Sequence, residues 1–143
     1  MFGRAFFVGI SVLILAAAPV TLLVSGCTTG SQYKPPGARL PDNFPIECYP
    51  KSECTKADST PKGQGKYTQI VILKSDDDKY KCADFYKTEI PMKGFRLLSD
   101  NDRSGVLALE AISDKAKLDI ILTPVGEHTI ISITYDPKLE MAH

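Results

Sequence analysis

The sequence predicts an α+β domain, an antiparallel β-meander with one helix packed on one face, in the order β-β-α-β-β-β-β. Three observations predict it. Residues 67–74 are rich in β-branched side chains, which is typical of a strand. Residues 82–90 place apolar side chains at spacings of three and four, which indicates an amphipathic helix. From Phe95 onward apolar and polar residues alternate, as in strands that bury one face.

The first two strands and the helix have recognisable boundaries. Residues 49–57 predict a weak strand, and the flexible turn Gly63-Gln64-Gly65 leads into the strand at 67–74. Ser75 or Asp76 can cap the helix, where carboxylates also compensate the unpaired N–H groups of the first turn. Pro91 disfavours helical geometry at the preceding residue, so we expect the helix to end or kink there.

Four short strands follow the helix, and polar turns join them. They cover residues 95–98, 106–112, 118–123 and 129–135. Consecutive strands with short connections form an antiparallel meander, and one helix can cover only one of its faces. We expect the other face to meet water or a partner. The candidate interaction residues on that face are Ile121, Ile130, Ser132 and Thr134, because isoleucines that point to solvent indicate a covered patch.

Composition and motifs argue against several functional classes. Lys and Arg number 17, as do Asp and Glu, so we expect no nucleic-acid partner. His128 and His143 lie far from the cysteines in sequence, and the spacing predicts no metal site and no cofactor. The chain has no Gly-x-Ser-x-Gly motif, and Cys82 with His128 is better explained as a core cysteine and a turn histidine. We therefore predict that the protein is not an enzyme.

Two acidic clusters have structural explanations. Residues 100–105 resemble the opening of an EF-hand calcium loop, but the bidentate Glu required at the twelfth position is Ala111. A polar hairpin loop with Gly105 at its turn is the better interpretation. The run Asp76-Asp77-Asp78 could bind a cation, although helix capping explains it more simply.

The N-terminus carries a targeting pattern. After Arg4, residues 5–24 are uncharged and mostly apolar, and the run Leu22-Leu23-Val24-Ser25-Gly26-Cys27 resembles the lipobox of a bacterial lipoprotein signal peptide. The resemblance implies that residues 1–26 are removed and that Cys27 carries acyl chains such as palmitate, which anchor the protein to a membrane. A retained transmembrane helix is the alternative. Because Thr28 rather than Asp follows the cysteine, the resemblance implies the outer membrane, facing the periplasm.

This targeting pattern divides the chain into four parts. Residues 1–26 are the expected signal peptide, and residues 27–45 contain the lipidated cysteine and a Pro-rich tether. Residues 46–137 are expected to form the single α+β domain, and residues 138–143 a C-terminal tail.

Three cysteines remain after Cys27, and outside the cytoplasm they can oxidise. Three thiols form at most one internal bond. We favour a disulfide between Cys48 and Cys54, which enclose a short Pro-containing loop; a Cys54–Cys82 bond is the main alternative. The remaining thiol, in the favoured case Cys82, is then expected to be a buried apolar residue.

The segments Leu40-Pro-Asp-Asn-Phe-Pro45, Asp84-Phe85-Tyr86-Lys87 and Lys93-Gly94-Phe95 resemble a group of small, mostly uncharacterised periplasmic lipoprotein domains. The resemblance covers residues 40–136, and this chain differs by Cys48 and by the late Pro91. We expect a non-catalytic envelope lipoprotein whose open sheet face or edge contacts another envelope protein. The alternatives are a carrier of a lipid or small ligand, with a pocket lined by Phe85, Tyr86 and Tyr135, and, third, an enzyme.

Overall fold

The computed structural model describes residues 38–140, so the predicted signal peptide, Cys27 and residues 28–37 of the tether lie outside the described residues. The described chain contains one helix and six strands in the predicted order, which confirms the α+β fold class. The elements are β1 Ser52–Gly63, β2 Lys66–Ser75, α1 Lys79–Met92, β3 Arg96–Arg103, β4 Val106–Ile112, β5 Ala116–Val125 and β6 His128–Pro137. Within residues 38–140, no helix is long and apolar enough to cross a membrane.

All six strands belong to one antiparallel sheet, in the spatial order β1-β2-β6-β5-β4-β3. The β1–β2 hairpin supplies one edge, and the meander from β3 to β6 runs back from the other edge until β6 pairs with β2. Helix α1 makes the connection between the two groups of strands. Because it crosses from central β2 to edge strand β3, it lies over one face of the sheet and contacts β3, β4 and β5.

The core lies between α1 and the inner face of the sheet, the face that α1 covers. Tyr86, Cys82 and Ile90 of the helix are fully buried there. The segment that precedes β1, residues 38–51, covers the rest of the inner face, and we call it the strap. Its Ile46 and Tyr49 are core residues. Ala38, Leu40 and Phe44 also pack against the core, so the chain contacts the domain before the boundary expected at Ile46.

The helix begins later than the sequence predicts. Asp78, rather than Ser75 or Asp76, is the N-cap, and its carboxylate accepts hydrogen bonds from the backbone N–H groups of Tyr80 and Lys81. Ser75 is the last residue of β2, where its hydroxyl donates to the Lys51 carbonyl at 2.9 Å and accepts from the Asp77 N–H at 3.1 Å, so it stabilises the turn before the helix instead of the helix end.

The helix also ends later, since Pro91 lies within its last turn. The chain leaves the helix through Gly94, which has φ +80°, a conformation that glycine adopts without steric cost. The N–H of Phe95 donates to the Ile90 carbonyl and the N–H of Gly94 to the Pro91 carbonyl, a Schellman motif. The helix therefore continues two residues beyond Ile90, where an end or a kink was expected, and ends in this motif.

Strand β3 extends to Arg103 and so occupies most of the segment 100–105, which was predicted to be a polar hairpin loop. Asp100 and Asp102 point to the inner face, where they form ion pairs with Lys87 and Lys79 of α1. Only Ser104 and Gly105 remain as the turn, both with positive φ. The acidic residues that resemble a calcium loop thus hold the helix to an edge strand.

Candidate functional site

The outer face of the sheet, opposite α1, carries the four residues predicted as an interaction face. Ile121 lies in β5 and the other three lie in β6, where Ile121 pairs with Ser132 and Asp119 pairs with Thr134. Ile121 is 43% exposed, whereas its neighbour Ile120 on the inner face is fully buried. Within residues 38–140 neither α1 nor the strap covers this side, because both contribute to the core on the inner face.

Strand β2 adds two further isoleucines to this face that the sequence did not identify. Ile72 pairs with Ser132, and Ile70 pairs with Thr134, so both lie beside the predicted residues. The alternation of Ile70 and Ile72 with Val71 and Leu73 was visible in the sequence. All four are apolar, however, so the pattern could not show which pair faces outward.

We call the combined surface the outer patch, and it consists of Ile70, Ile72, Ile121, Ile130, Ser132 and Thr134. Ser132 lies at its centre, directly opposite Ile72 on one side and Ile121 on the other. Ile130 is the next residue of β6 on the same face. The isoleucines therefore surround a hydroxyl group at the middle of the sheet.

Charged pairs surround the outer patch. Lys56 and Asp58 of β1 are 2.8 Å apart, and Lys117 and Asp119 of β5 are 3.0 Å apart. At one end of the sheet, Asp136 accepts hydrogen bonds from Lys62 at 2.7 Å and from Thr68 at 2.8 Å, which hold the pKa of this carboxyl below its ordinary value. The patch thus has an apolar and hydroxyl-bearing centre with a charged rim.

A shallow cavity of about 430 Å³ lies at the other end of the sheet. It is lined by Pro50, Lys51, Ser52, Glu53, Lys74, Asp76 and His128. The Nδ1 atom of His128 lies 2.7 Å from a carboxylate oxygen of Asp76, which orients the imidazole. Both side chains are partly or largely exposed, so this pair extends the polar rim beyond the isoleucines.

The hydroxyl, imidazole and carboxylate groups of this cavity do not form a catalytic triad. Ser52 is buried, and its hydroxyl donates to the Tyr49 carbonyl at 2.6 Å instead of to His128. Cys82 lies in the core under α1, on the side of the sheet opposite His128. Among residues 38–140, no group of three or more His, Cys, Asp or Glu side chains could hold a metal ion.

Of the three aromatic residues considered for a carrier pocket, Phe85 and Tyr86 pack against each other. Phe85 meets Tyr86 edge to face, with ring centroids 5.0 Å apart, and meets Tyr49 in the same way at 5.4 Å. Tyr86 is fully buried, and Tyr135 is partly buried against the core. These side chains therefore fill the space between the helix and the sheet.

The three cysteines of the domain are free thiols in the structure. Cys54 and Cys82 are buried, and Cys48 is half-buried. Burial raises the pKa of the Cys82 thiol to about 11, so this thiol is a poor nucleophile at neutral pH. The Cys48–Cys54 disulfide stays a prediction.

No protein-family model matches this chain, and no curated protein matches it either.

Proposed function

We propose that this protein is a lipid-anchored envelope protein of non-catalytic type, and that its outer patch binds another envelope protein. The proposed binding surface rests on the exposure of Ile121, which is 43% exposed at the middle of the sheet. Exposed apolar residues are common one at a time. Here the exposed isoleucine lies diagonally beside Ile130, and Ile72 lies on the far side of Ser132, so the apolar residues share one regular surface of the kind that marks interaction sites.

The dimensions of the face suit a protein partner. Six strands of 7 to 12 residues, at ~3.3 Å per residue and ~4.8 Å between neighbouring strands, make a face of roughly 750 Å². A standard interface buries about 800 Å² of accessible surface on each partner, so the face can supply most of one side. Its apolar centre and charged rim also match the usual anatomy of such interfaces.

Photo-crosslinking in intact cells tests the binding surface. A crosslinking amino acid at Ile121 or Thr134 should capture a discrete protein. The same amino acid at Tyr80 or Met92, which are exposed on the helix side, provides the matched control. Equal capture from both sides, or no capture from the outer patch, would contradict the proposed interface.

The lipid anchor is supported by the apolar N-terminal run and by the lipobox-like sequence that ends at Cys27. Mass spectrometry of the membrane fraction should find Cys27 as an acylated N-terminal residue. Cys27→Ala should release or mislocalise the protein while the domain stays folded. An unmodified Cys27 still joined to Gly26 would refute the anchor, and recovery only in the inner membrane would refute the proposed outer-membrane location.

A further inference from the structure

The sheet has two edges, and they differ in how open they are to another strand. Strand β1 forms one edge, where Pro61 lacks an N–H group and a bulge interrupts the register between Cys54 and Lys56. Strand β3 forms the other edge; it contains no proline, and seven of its eight residues are exposed. Among residues 38–140, β3 pairs only with β4, so the backbone groups on its other side have no strand partner. The β3 edge is therefore the better one to receive another strand.

Strand β3 also has a bulge, but the bulge lies near its start. The register shifts between Leu97 and Ser99, so Leu98 is the extra residue. From Ser99 to Arg103 the pairing with β4 is regular. The two leucines at the bulge are exposed, Leu97 at 37% and Leu98 at 48%. The edge thus offers a regular run of backbone groups with apolar side chains next to it.

Inward-pointing charges commonly protect an edge strand against pairing with another chain. On β3 these charges are the carboxylates of Asp100 and Asp102. Each forms an ion pair with a lysine of α1, Asp100 with Lys87 and Asp102 with Lys79. An incoming strand would therefore meet neutralised ion pairs on the inner face, and this form of protection is weakened.

The outer side of the β3 edge carries unpaired positive charge. Arg96 lies opposite Ile112 and Arg103 opposite Val106, and both pairs lie on the outer face because the buried residues of β4 occupy the intervening positions. Both arginines are exposed, and neither forms an ion pair with a carboxylate of residues 38–140. Ile112 and Val106 are six positions apart on the unbulged β4. A second unbulged strand, on the open side of β3, would likewise place residues six positions apart opposite the two arginines.

We propose that the open edge of β3 binds an extended segment of another protein by strand addition, and that this segment carries acidic residues six positions apart and apolar residues on its other face. Main-chain hydrogen bonds hold such a segment, and its alternate side chains give the specificity. The acidic residues pair with Arg96 and Arg103, since an even spacing keeps both on the outer face. The apolar residues lie on the inner side, which is the side of Leu97. The edge is separate from the outer patch, so the inference does not rest on the function proposed for that patch.

A synthetic peptide with this pattern tests the edge directly. Its sequence is Glu-Val-Thr-Val-Thr-Val-Glu, acetylated and amidated at its ends. The matched control peptide replaces both glutamates by lysine and keeps the length and the strand propensity. Hydrogen exchange is followed by mass spectrometry on the full chain, purified in detergent, with and without peptide at about 1 mM.

The glutamate peptide should slow exchange in segment 96–103 and leave the other edge, segment 52–63, unchanged. The lysine peptide should have little effect on either edge. The double variant Arg96→Gln/Arg103→Gln should bind the glutamate peptide about tenfold more weakly, because each exposed ion pair contributes roughly 2- to 5-fold. Arg39→Gln, which changes an exposed arginine of the strap, is the control and should leave the affinity unaltered.

Four results would overturn the proposal. They are equal slowing by the lysine peptide, slowing of β2 and β6 instead of β3, no slowing at about 1 mM glutamate peptide, and slow exchange throughout 96–103 before any peptide is added. The last result would show that the edge is already paired. None of these outcomes depends on crosslinking from Ile121, so the edge and the outer patch can be refuted separately.

Discussion

Ile120 and Ile121 provide a sharp test, because they are consecutive residues of β5 that face opposite sides of the sheet. Ile120 is fully buried opposite Ile133, whereas Ile121 is 43% exposed opposite Ser132. The two substitutions Ile120→Ala and Ile121→Ala remove the same atoms from the same strand. Any difference in stability or binding between the two variants therefore reports the different roles of the inner and outer faces of the sheet.

The structure gives different magnitudes for the two changes. Ile120→Ala leaves a cavity in a closed core, which costs about 2–5 kcal/mol. Ile121 has only a little more than half of its side chain shielded, and water can fill the space left behind, so its loss should cost about 1 kcal/mol or less. For a domain of roughly 100 ordered residues, these values correspond to Tm decreases of about 10–25 °C and less than about 5 °C.

Urea unfolding followed by circular dichroism measures the stability of both variants, and capture from a crosslinker at Thr134 measures binding. We expect Ile120→Ala to lower stability, with capture retained wherever the domain is folded. Ile121→Ala should keep its stability and lose capture. If Ile121→Ala destabilises as much as Ile120→Ala, the outer face is covered within the folded protein. If it leaves capture unchanged, the outer patch is not the interface.

Three further predictions concern the strap, the helix cap and acid stability. Tyr86→Phe removes the acceptor of the buried Tyr49 N–H and should lower the free energy of unfolding by about 1–3 kcal/mol; unchanged stability in urea would show that this hydrogen bond does not hold the strap. Asp78→Ala should cost about 1 kcal/mol by loss of the N-cap, whereas Asp76→Ala, the control in the same acidic run, should change the stability by less than about 0.5 kcal/mol. The hydrogen bond from the Tyr49 hydroxyl is the largest of the causes that lower the pKa of Asp77 from its ordinary value of 3.8. The ionised Asp77 carboxylate therefore contributes fully to stability above that pH, and the contribution is lost as the pH falls through the lower pKa of the folded state. Tyr49→Phe should therefore shrink the loss of stability that occurs as the pH falls from about 5 to below 3.8, and an unaltered acid dependence would refute this assignment.

The order of the elements was predictable, and so was the face that each of the last strands buries, because the residues on their other face are mostly polar. Leu118, Ile120 and Leu122 alternate with Asp119 and other polar or exposed positions, and the structure buries all three leucine and isoleucine residues completely. The strand order was not predictable, because β2 pairs with β6 across more than fifty residues of intervening chain. The periodicity within a strand does not specify which distant strand will pair with it.

Two of the six residues of the outer patch were missed for the same reason. Ile70 and Ile72 become part of it only because β6 lies beside β2 and brings Ser132 and Thr134 next to them. The extent of β3 was missed for a different reason. Asp100 and Asp102 look like loop residues, yet an edge strand tolerates inward carboxylates when Lys87 and Lys79 of the helix neutralise them.

The placement of the strap bears on how an anchored protein would present the outer patch. The strap packs on the inner face, where Gln69 donates to the Asp42 carbonyl at 3.2 Å, so the chain reaches the domain on the helix side. The outer patch lies on the opposite face. Within residues 38–140 the strap and the proposed interface therefore occupy opposite faces of one sheet, so a partner bound to the outer patch would not have to displace the strap.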